Sequence, residues 1–316
     1  MHYLDFERPI ADLEGKIVEL RKLAEADPTM DIDGDVARLT TRADQLVRDT
    51  YSRLTPWQKV LVARHPERPH FLDYARLIFD DFTPLAGDRS FGEDEAILAG
   101  LARFRGRAVA FLGQERGNDT QSRLKHNFGM ASPEGYRKAV RLFELAGRFG
   151  LPVLSFIDTS GAFPGVTAEE RGQAEAIARS IEAGLSVPTP FIATVIGEGG
   201  SGGAIAVAAA DRVYMLEHAV YSVISPEGAA SILWRDAAKA AEAAAALKIT
   251  AQDLIALKLI DAIVPEPVGG AHRAPSEAID AASDMIARGL SELEGKSGPD
   301  LIKQRRAKYL AMGRGL

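Results

Sequence analysis

The chain has 316 residues, of which 46% are hydrophobic and 26% charged, and its 38 Lys and Arg against 44 Asp and Glu give a net charge of −6. This composition is typical of a folded globular protein with one large domain, with or without an appendage, and excludes a disordered chain. The mild acidity gives no reason to expect nucleic acid or an anionic membrane as the main partner. The sequence has no cysteine, which excludes disulfides, thiolate nucleophiles and a cysteine-based zinc site in this chain.

The N-terminal residues MHYLDFERPI lack the basic region and apolar core of a secretory signal. The longest run of apolar residues, 204–210, is far too short to cross a bilayer. The expected location is therefore the cytoplasm.

Helices dominate the first part of the chain, which we predict to be an N-terminal helical extension over residues 1–84. Apolar residues spaced by three and four form two narrow stripes, over 9–26 and 36–46, which predict a helical hairpin. Such narrow stripes need a further surface to cover them, so the hairpin either grips a partner or packs on its own domain. A helix starting at Pro56 and a helix over 71–82 complete the extension.

Residues 85–295 are predicted to form the catalytic domain, of α/β class. Continuous apolar strands separated by helices indicate a largely parallel sheet that is covered on both faces. The first two strands form a hairpin around the sequence RGR. Strands are predicted at 96–104, 107–114, 151–159, 190–197, 211–217 and 219–225.

Helix signals fill the gaps between these strands. Ser132 caps a helix that stops at Gly150, and Thr167 and Glu170 have the spacing of a capping box for the next one. Further helices are predicted directly after the glycine-rich segment, from 225, and over 237–247 with a continuation to about 260. Residues 296–316 form a C-terminal basic helix, of the kind that is usually solvated.

The segment 195–210, VIGEGGSGGAIAVAAA, fits three catalytic patterns. Residues 197–202 match the dinucleotide fingerprint G-x-G-x-x-G, although the helix that follows is short for that fold. Residues 199–203 match the nucleophile elbow G-x-S-x-G, with Ser201 as nucleophile and Asp261 and His272 following in hydrolase order. His272 lies in a loop without a special setting and is expected to be solvated.

In the third interpretation, the glycines build an oxyanion hole. A strand that ends in glycines and enters a buried apolar helix directs free amides at whatever lies above the helix N-terminus. Gly202 and Gly203 lack Cβ, so a substrate oxygen is able to approach their backbone. A glycine turn that merely lets helix and sheet pack closely remains the structural alternative.

A second loop supports the oxyanion-hole interpretation. The strand LSFIDT is followed by SGAFPGV, residues 160–166, so Gly161 and Ala162 offer amides at the corresponding edge of the sheet. Two such loops, one strand–helix unit apart, are how the crotonase-type fold assembles an acyl-thioester enolate site.

Several longer motifs then point to one family. The segments LDFERPIADLEGKI, TPLAGDRS, NFGMASPEGYRKA, FIDTSGAFPGVTAEERGQ, VIGEGGSGGA, YSVISPEG and EPVGGAHR occur in this order along almost the whole chain. In this order and spacing, the chain resembles the carboxyltransferase alpha subunit of bacterial acetyl-CoA carboxylase. The resemblance implies a crotonase-like ββα superhelix that pairs with a separate beta subunit.

The implied reaction moves a carboxyl group from N-carboxybiotin, on a biotin carboxyl carrier protein, to acetyl-CoA, giving malonyl-CoA. By position, the oxyanion donors fall on Gly202 and Gly203 and serve the biotin side. The loop residues around them are the implied substrate-binding set for carboxybiotin and the acyl-CoA: Gly161, Ala162, Phe163, Gly165, Gly199 and Gly200. The implied partners are the beta subunit, two with two alpha, the carrier protein and biotin carboxylase, and zinc is expected only in the beta subunit.

The sequence agrees with a division of labour among subunits. It contains no Met-Lys-Met biotinylation site, no cysteine ligands for a zinc ribbon and no P-loop. No metal site and no covalently bound cofactor are therefore expected in this chain. A carboxyltransferase for another acyl-CoA, such as propionyl-CoA, and a non-catalytic scaffold of the same fold remain alternatives.

The loop 158–165 departs from the pattern expected of the family, DTPGAYPG. Ser160 replaces a proline and Phe163 replaces a tyrosine, so Phe163 is expected only to form a pocket wall. Asp158 is expected to hold the loop by accepting amide hydrogen bonds. Glu198 either orients the glycine loop or is a solvated carboxylate, and Arg123, Lys125 and His126 meet an acidic partner or are plain surface.

Overall fold

A mixed β-sheet forms the centre of the computed structural model, which describes residues 2–27 and 30–314. Within those residues the sheet has eight strands. They are β1 (Phe79–Pro84), β2 (Ile97–Phe104), β3 (Arg107–Gln114), β4 (Val153–Thr159), β5 (Phe191–Gly200), β6 (Arg212–Leu216), β7 (Val220–Ser222) and β8 (Ala262–Val264). Their order is β1-β2-β3-β4-β5-β6-β8, with β7 paired to β5.

The predicted parallel sheet is confirmed for its central part. Strands β3 to β6 and β8 pair in parallel, whereas β1, β2 and β3 form an antiparallel edge, with β2 and β3 as the predicted hairpin. Every residue of β4 and β5 is buried, as expected for strands covered on both faces. Because β4 and β5 are neighbours and parallel, the loops at their carboxyl ends share one edge of the sheet.

Helices cover both faces of the sheet and form the N-terminal and C-terminal segments. They are α1 (Arg8–Ala26), α2 (Asp33–Tyr51), α3 (Pro56–Ala63), α4 (Phe71–Ile78), α5 (Thr120–Lys125), α6 (Pro133–Phe149), α7 (Val166–Glu170), α8 (Gln173–Ser186), α9 (Ser201–Ile205), α10 (Pro226–Trp234), α11 (Ala240–Leu247), α12 (Ala251–Ala256), α13 (Pro275–Leu293) and α14 (Gly298–Ala311). Over the described residues, none of these helices is long and apolar enough to cross a membrane.

The predicted helix over 71–82 is wrong in its second half. Helix α4 ends at Ile78, and the next six residues form β1, which pairs with β2 at the edge of the sheet. Aromatic packing favours the strand over the helix here, because the Phe82 ring stacks on the Phe111 ring of β3 with centroids 4.5 Å apart. The division of the chain at 84/85 and 295/296 stays a prediction.

Three further helix predictions are corrected. Residues 167–186 form α7 and α8 rather than one helix, since Gly172 has a φ of 80° that a right-handed helix does not accept, and no capping box forms at Thr167. The helix predicted directly after the glycine-rich segment begins inside it, at Ser201, and has only five residues, because the amides of Val207 and Ala208 bond with i→i−3 spacing. The helix α11 ends at Leu247, because the next residue, Lys248, has a φ of 54°, and the chain does not continue as one helix to 260.

The N-terminal hairpin is attached to its own domain at its base. Ile10 of α1 and Val47 and Tyr51 of α2 pack with Val62 of α3 in a separate apolar cluster. Arg273, which precedes α13, donates to Glu14 at 2.8 Å and so ties the hairpin to the domain. Further along α1, the side chains Val18 and Leu23 are about half exposed. The base of the hairpin therefore follows the self-packing alternative.

The C-terminal helix α14 is also docked, which corrects the expectation of a solvated basic helix. Arg305 is 1% exposed and donates both to the Asp211 carboxylate and to three main-chain carbonyls before β5, those of Gly184, Val187 and Thr189. The helix is therefore part of the folded domain. Residues 315–316 lie outside the described residues.

Candidate active site

The loop after β4 contacts the junction between β5 and α9, and almost no space separates their main chains. A Cβ on Gly200 would lie 2.2 Å from the carbonyl oxygen of Ser160, and a Cβ on Gly203 would lie 2.6 Å from the amide nitrogen of Ala162. Both positions therefore require glycine for close packing of the two loops. This corrects part of the expectation for Gly203, whose missing Cβ faces the neighbouring loop rather than an approaching substrate oxygen.

The amides of Gly202 and Gly203 begin the short helix α9. Across residues 2–27 and 30–314, neither amide donates a hydrogen bond to a protein group. These are the unsatisfied N–H groups expected in the first turn of a helix. The Gly161 amide is different, because it donates to Thr159 Oγ1 at 3.1 Å and is not available to a ligand.

The junction between β5 and α9 is strained at one residue. Ser201 has a φ of 54°, which is uncommon for a residue with a side chain. Strained backbone of this kind persists where the surrounding structure holds it in place, and it occurs often in functional sites. The local contacts that hold this turn are therefore of interest for function.

A cavity of about 440 Å³ opens beside the strained turn. Ser201 and Gly202 form one part of its wall, and mainly apolar residues of β6, β7, α11, α12 and α14 form the rest. These are chiefly Val213, Tyr221, Val223, Leu247, Leu254, Leu257, Leu259, Tyr309 and Met312. Burial raises the pKa of the Tyr221 phenol. The cavity therefore offers a mainly apolar space beside the start of α9.

The structure does not support the nucleophile-elbow interpretation. His272 is buried, stacks on His65 with ring centroids 3.8 Å apart and approaches Tyr51 Oη at 3.5 Å. Asp261 accepts from the Val213 amide and from the Lys308 ammonium. Ser201 therefore lacks the base that this mechanism needs. The expectation that His272 is solvated is also wrong.

The dinucleotide interpretation fails on the length of the helix after the glycines. In that fold the pyrophosphate rests on the N-terminus of a crossover helix, and α9 has only one turn. The third interpretation, with amides directed at a ligand, stays a prediction, and the two amides without a protein acceptor in residues 2–27 and 30–314 agree with it.

Asp158, at the end of β4, connects the two loops, as the sequence predicts. Its Oδ1 accepts from the Glu198 amide at 3.0 Å, and its Oδ2 is 3.1 Å from His70 Nδ1. Burial opposes ionisation of this carboxyl, but the Arg116 guanidinium and His70 together hold its pKa below the usual range. Asp158 is therefore a charged, buried residue whose hydrogen bond connects the carboxyl ends of β4 and β5.

Glu198 is buried and ion-paired, so it is not a solvated carboxylate and follows the alternative in which it orients the glycine loop. Its carboxylate accepts from Arg64 Nε at 3.0 Å and Nη2 at 2.6 Å, and from Arg116 Nη1 at 3.2 Å. Arg116 also reaches Asp158 Oδ1 at 3.3 Å. The carboxylate thus orients the end of β5 directly before residues 199–203, which we call the glycine run.

Gln114 is a site residue that the sequence analysis missed. At the end of β3, its Nε2 donates to the Gly203 carbonyl at 2.8 Å, and its Oε1 accepts from the Asp158 amide at 3.2 Å. One side chain therefore fixes the peptide that follows the candidate donor and the end of β4. No local motif marks this position, because its role depends on the parallel register of β3, β4 and β5.

The other predicted residues lie further from the cavity. Gly199 would place a Cβ 2.9 Å from the ring of Tyr221, which is part of the cavity wall. Phe163 donates its amide to the Ala131 carbonyl, and its ring packs over Gly165. Neither Phe163 nor Gly165 is among the described residues that line the cavity.

The basic residues before NFGM have local partners. Lys125 pairs with Glu95 at 2.8 Å, and His126 is buried with its Nδ1 2.6 Å from the Glu95 carbonyl. Arg123 Nε donates to the Gly117 carbonyl at 3.3 Å. These contacts favour the plain-surface alternative for Lys125 and a structural role for His126.

Glu7, His65 and His272 form a buried group of possible metal ligands beneath the hairpin. Both His65 nitrogens are engaged, since Nδ1 accepts from the Glu67 amide and Nε2 lies 3.0 Å from the His2 carbonyl. The cationic Arg273 also lies 3.4 Å from Glu7 Oε1. The group therefore does not fit a bound cation.

Structural comparison relates the fold to known carboxyltransferases. A transcarboxylase 12S structure with hydrolysed methylmalonyl-coenzyme A bound superposes with a TM-score of 0.58 at 21% identity, over 72% of this chain and 42% of the other. This chain thus spans less than half of that one. A Pseudomonas malonate decarboxylase hetero-tetramer in complex with coenzyme A gives a TM-score of 0.56 at 16% identity, over 70% and 92% of the two chains. These similarities show a crotonase-like α/β fold.

Sequence comparison identifies the family. The "Acetyl co-enzyme A carboxylase carboxyltransferase-like" family model matches residues 3–313. The acetyl-coenzyme A carboxylase carboxyl transferase subunit alpha of Agrobacterium fabrum is 64% identical over 100% of both chains, and that of Chelativorans sp. is 62% identical over 100% of this chain and 99% of its own. On this evidence, the chain is a member of the acetyl-coenzyme A carboxylase carboxyltransferase family.

Proposed function

We propose that the chain is the alpha subunit of an acetyl-CoA carboxylase carboxyltransferase. With a beta subunit, it transfers the carboxyl group of N-carboxybiotin to acetyl-CoA and so forms malonyl-CoA for fatty-acid synthesis. Identity above 60% over the full length of alpha subunits supports this assignment. The single structural observation that carries it is the unengaged pair of amides at Gly202 and Gly203, with Gly202 on the wall of an apolar cavity.

In the proposed reaction, the bond between the ureido nitrogen and the carboxyl carbon breaks and releases CO₂. The nitrogen then removes a proton from the acetyl methyl group, and the resulting enolate carbon attacks CO₂. Negative charge develops on the ureido oxygen when the first bond breaks. The amides of Gly202 and Gly203 stabilise that charge, and one such donor is worth about 3 kcal/mol at an oxyanion.

The cavity beside Ser201 and Gly202 is the proposed site for the biotin ring. Its walls are mainly apolar, which suits a bicyclic ring with an aliphatic tail, and Ser201 and Gly202 at the start of α9 form one part of them. The tight contact between the glycine run and the loop 160–162 fixes the donors and excludes water from behind them. The loop residues Gly161, Ala162, Gly199 and Gly200 shape this edge of the site, whereas Phe163 and Gly165 follow in the same loop and are not among the described residues that line the cavity.

The remaining assignments concern partners. The proposed assembly has two alpha and two beta subunits, and it receives carboxybiotin from a biotin carboxyl carrier protein that biotin carboxylase loads. Zinc belongs to the beta subunit in this proposal, and the complex works in the cytoplasm. The alpha chain supplies the biotin-side donors, whereas the beta subunit supplies most contacts to coenzyme A.

Reconstitution tests the proposal directly. Purified alpha chain is mixed with the beta subunit, and the reverse reaction is measured as carboxyl transfer from malonyl-CoA to biocytin. We expect no turnover with either chain alone and clear turnover with the complex. A complex that forms but does not decarboxylate malonyl-CoA would contradict the proposal, and a preference for methylmalonyl-CoA would move the assignment to propionyl-CoA.

A further inference from the structure

Two charged side chains hold the glycine run from outside the two loops. Glu198 directly precedes it, and Arg64 comes from the C-terminal end of α3, in the N-terminal extension. The Glu198 side chain is 6% exposed, and Arg64 binds it through two nitrogens. A guanidinium makes this two-point contact with a carboxylate, whereas an ammonium does not.

Arg64 also connects the glycine run to the next helix. Its Nη1 donates to Glu227 Oε1 at 2.6 Å, and Glu227 lies in the first turn of α10. Burial opposes ionisation of Arg64, but Glu198 and Glu227 raise its pKa above the usual value. One side chain therefore joins α3, the end of β5 and the start of α10.

Charge balance makes Arg64 difficult to replace. Asp158, Glu198 and Glu227 are three carboxylates, and Arg64 and Arg116 are the two guanidinium groups between them. Without Arg64, the Glu198 carboxylate keeps only Arg116, which it shares with Asp158. A buried carboxylate left in that state is strongly unfavourable, so the end of β5 is expected to shift.

We infer that Arg64 and Glu198 are positioning residues for the amides of Gly202 and Gly203. This inference rests on the proposed function, because it assigns the pair to the same donors. The strained residue Ser201 lies three residues after Glu198. On either side of it, the main chain at Gly200 and Gly203 packs tightly against the loop 160–162, so the turn has little room to change its conformation. A displacement of about 1 Å at a catalytic group lowers turnover about 10²-fold.

The test uses the reconstituted alpha–beta complex with the variants Arg64→Ala, Arg64→Lys and Glu198→Gln. We expect Arg64→Ala to lower kcat about 10- to 100-fold while the KM for malonyl-CoA changes by less than about twofold. Arg64→Lys is expected to restore little of this loss, because an ammonium does not form the two-point contact. Added methylguanidinium is expected to restore part of the activity of Arg64→Ala.

Glu14→Gln is the matched control. It breaks the ion pair between Glu14 and Arg273 at the base of the same extension, away from the glycine run. We expect this variant to keep kcat within about twofold, as for a change that leaves the transition-state contacts intact. An equal loss of kcat in the control and in Arg64→Ala would overturn the inference, because it would indicate general loosening of the extension.

Amide hydrogen exchange in the alpha chain alone separates this inference from the proposed function. In Arg64→Ala we expect faster exchange in a peptide covering 196–206, with exchange in β2 and β3 unchanged. If the wild-type complex has no transferase activity but exchange increases as expected, the proposed function fails and the positioning contact stands. Wild-type exchange in this peptide, or wild-type kcat in Arg64→Ala, overturns the inference.

Discussion

Gly200, at the end of β5, and Gly202 and Gly203, at the start of α9, differ in the space around them. At Gly200 and Gly203 a Cβ would collide with the main chain of the loop 160–162, at 2.2 and 2.6 Å. At Gly202 it would meet only Ile177 side-chain carbons at 3.6 Å, an ordinary contact distance. Packing therefore requires glycine at positions 200 and 203, whereas position 202 has space for a larger side chain such as alanine.

This difference predicts the results of alanine substitution. Gly200→Ala and Gly203→Ala are expected to lower Tm by about 1.5–4.5 °C, because overpacking costs about 1–3 kcal/mol. Gly202→Ala is expected to keep Tm, because its Cβ meets only an ordinary contact with Ile177. Thermal unfolding of the three variants checks the ranking. Equal losses at all three positions would contradict the contact geometry.

Sequence alone predicted part of the site at this scale. The glycine run, the loop 160–166 and the anchoring role of Asp158 were found because each lies within or beside a continuous motif. Gln114, Arg64 and the buried state of Glu198 were not, since their roles come from contacts between segments far apart in the chain. The departures at Ser160 and Phe163 were recognised in the sequence, and Phe163 is not among the described residues that line the cavity.

Among the structural elements, α14 is anchored through Arg305, one of its two buried residues. Arg305 pairs with Asp211 at 2.6 Å, and its neighbour Arg306 reaches only Ser186 Oγ, in an exposed position. Breaking a buried pair leaves a carboxylate without compensation, which costs about 3–5 kcal/mol. Surface contacts are worth far less.

We therefore expect Arg305→Met to lower the free energy of unfolding by about 3–5 kcal/mol. Arg306→Met, the adjacent control, is expected to change it by less than about 0.5 kcal/mol. Urea unfolding followed by circular dichroism measures both values. A small loss for Arg305→Met, or the same loss for both variants, would show that α14 is not anchored through Arg305.

The attachment of the N-terminal hairpin depends on neutral histidines. Burial, together with His65, Arg68 and Arg273 nearby, lowers the pKa of His272 from its ordinary 6.5 to about 3. Burial also lowers the pKa of His65 and of His218. Between pH 6.5 and 3 the unfolded chain binds more protons at His272 than the folded chain does, so stability decreases as the pH falls through this range.

We expect His272→Phe to flatten this dependence. Each such histidine contributes a slope of at most about 1.4 kcal/mol per pH unit. The phenyl ring keeps the stacking on His65 and has no proton to bind. Unfolding free energies at pH 7.5, 6 and 5 measure the two slopes, and parallel curves for the variant and the parent chain would contradict a neutral, buried His272.

Elements were predicted well where pattern and packing agree. Strands β4 and β5 are apolar throughout, and their burial and parallel pairing followed from that pattern. Errors occur where a single residue with positive φ, such as Gly172 or Lys248, interrupts a helical pattern. An error also occurs at β1, where hydrogen bonding to β2 replaces the predicted end of a helix. Such interruptions depend on tertiary contacts that periodicity does not contain.

For the whole molecule, the crotonase-like fold brings two neighbouring strand ends and their loops to one edge of the sheet. The N-terminal helices α3 and α4 contribute Arg64 and His70 to the charged network beneath that edge. The extension is thus connected to the candidate site as well as to its own apolar cluster. The sequence predicted the family, the donor assignment stays a prediction, and the integration of the extension needed the structure.

The most direct test of the account is a crystal structure of the alpha–beta complex with biotin bound. We predict that the ureido oxygen lies about 2.7–3.1 Å from the amide nitrogens of both Gly202 and Gly203, with the ring in the cavity between Ser201 and Tyr221. A ureido oxygen bound elsewhere, with these two amides facing solvent or main-chain carbonyls, would contradict the central claim.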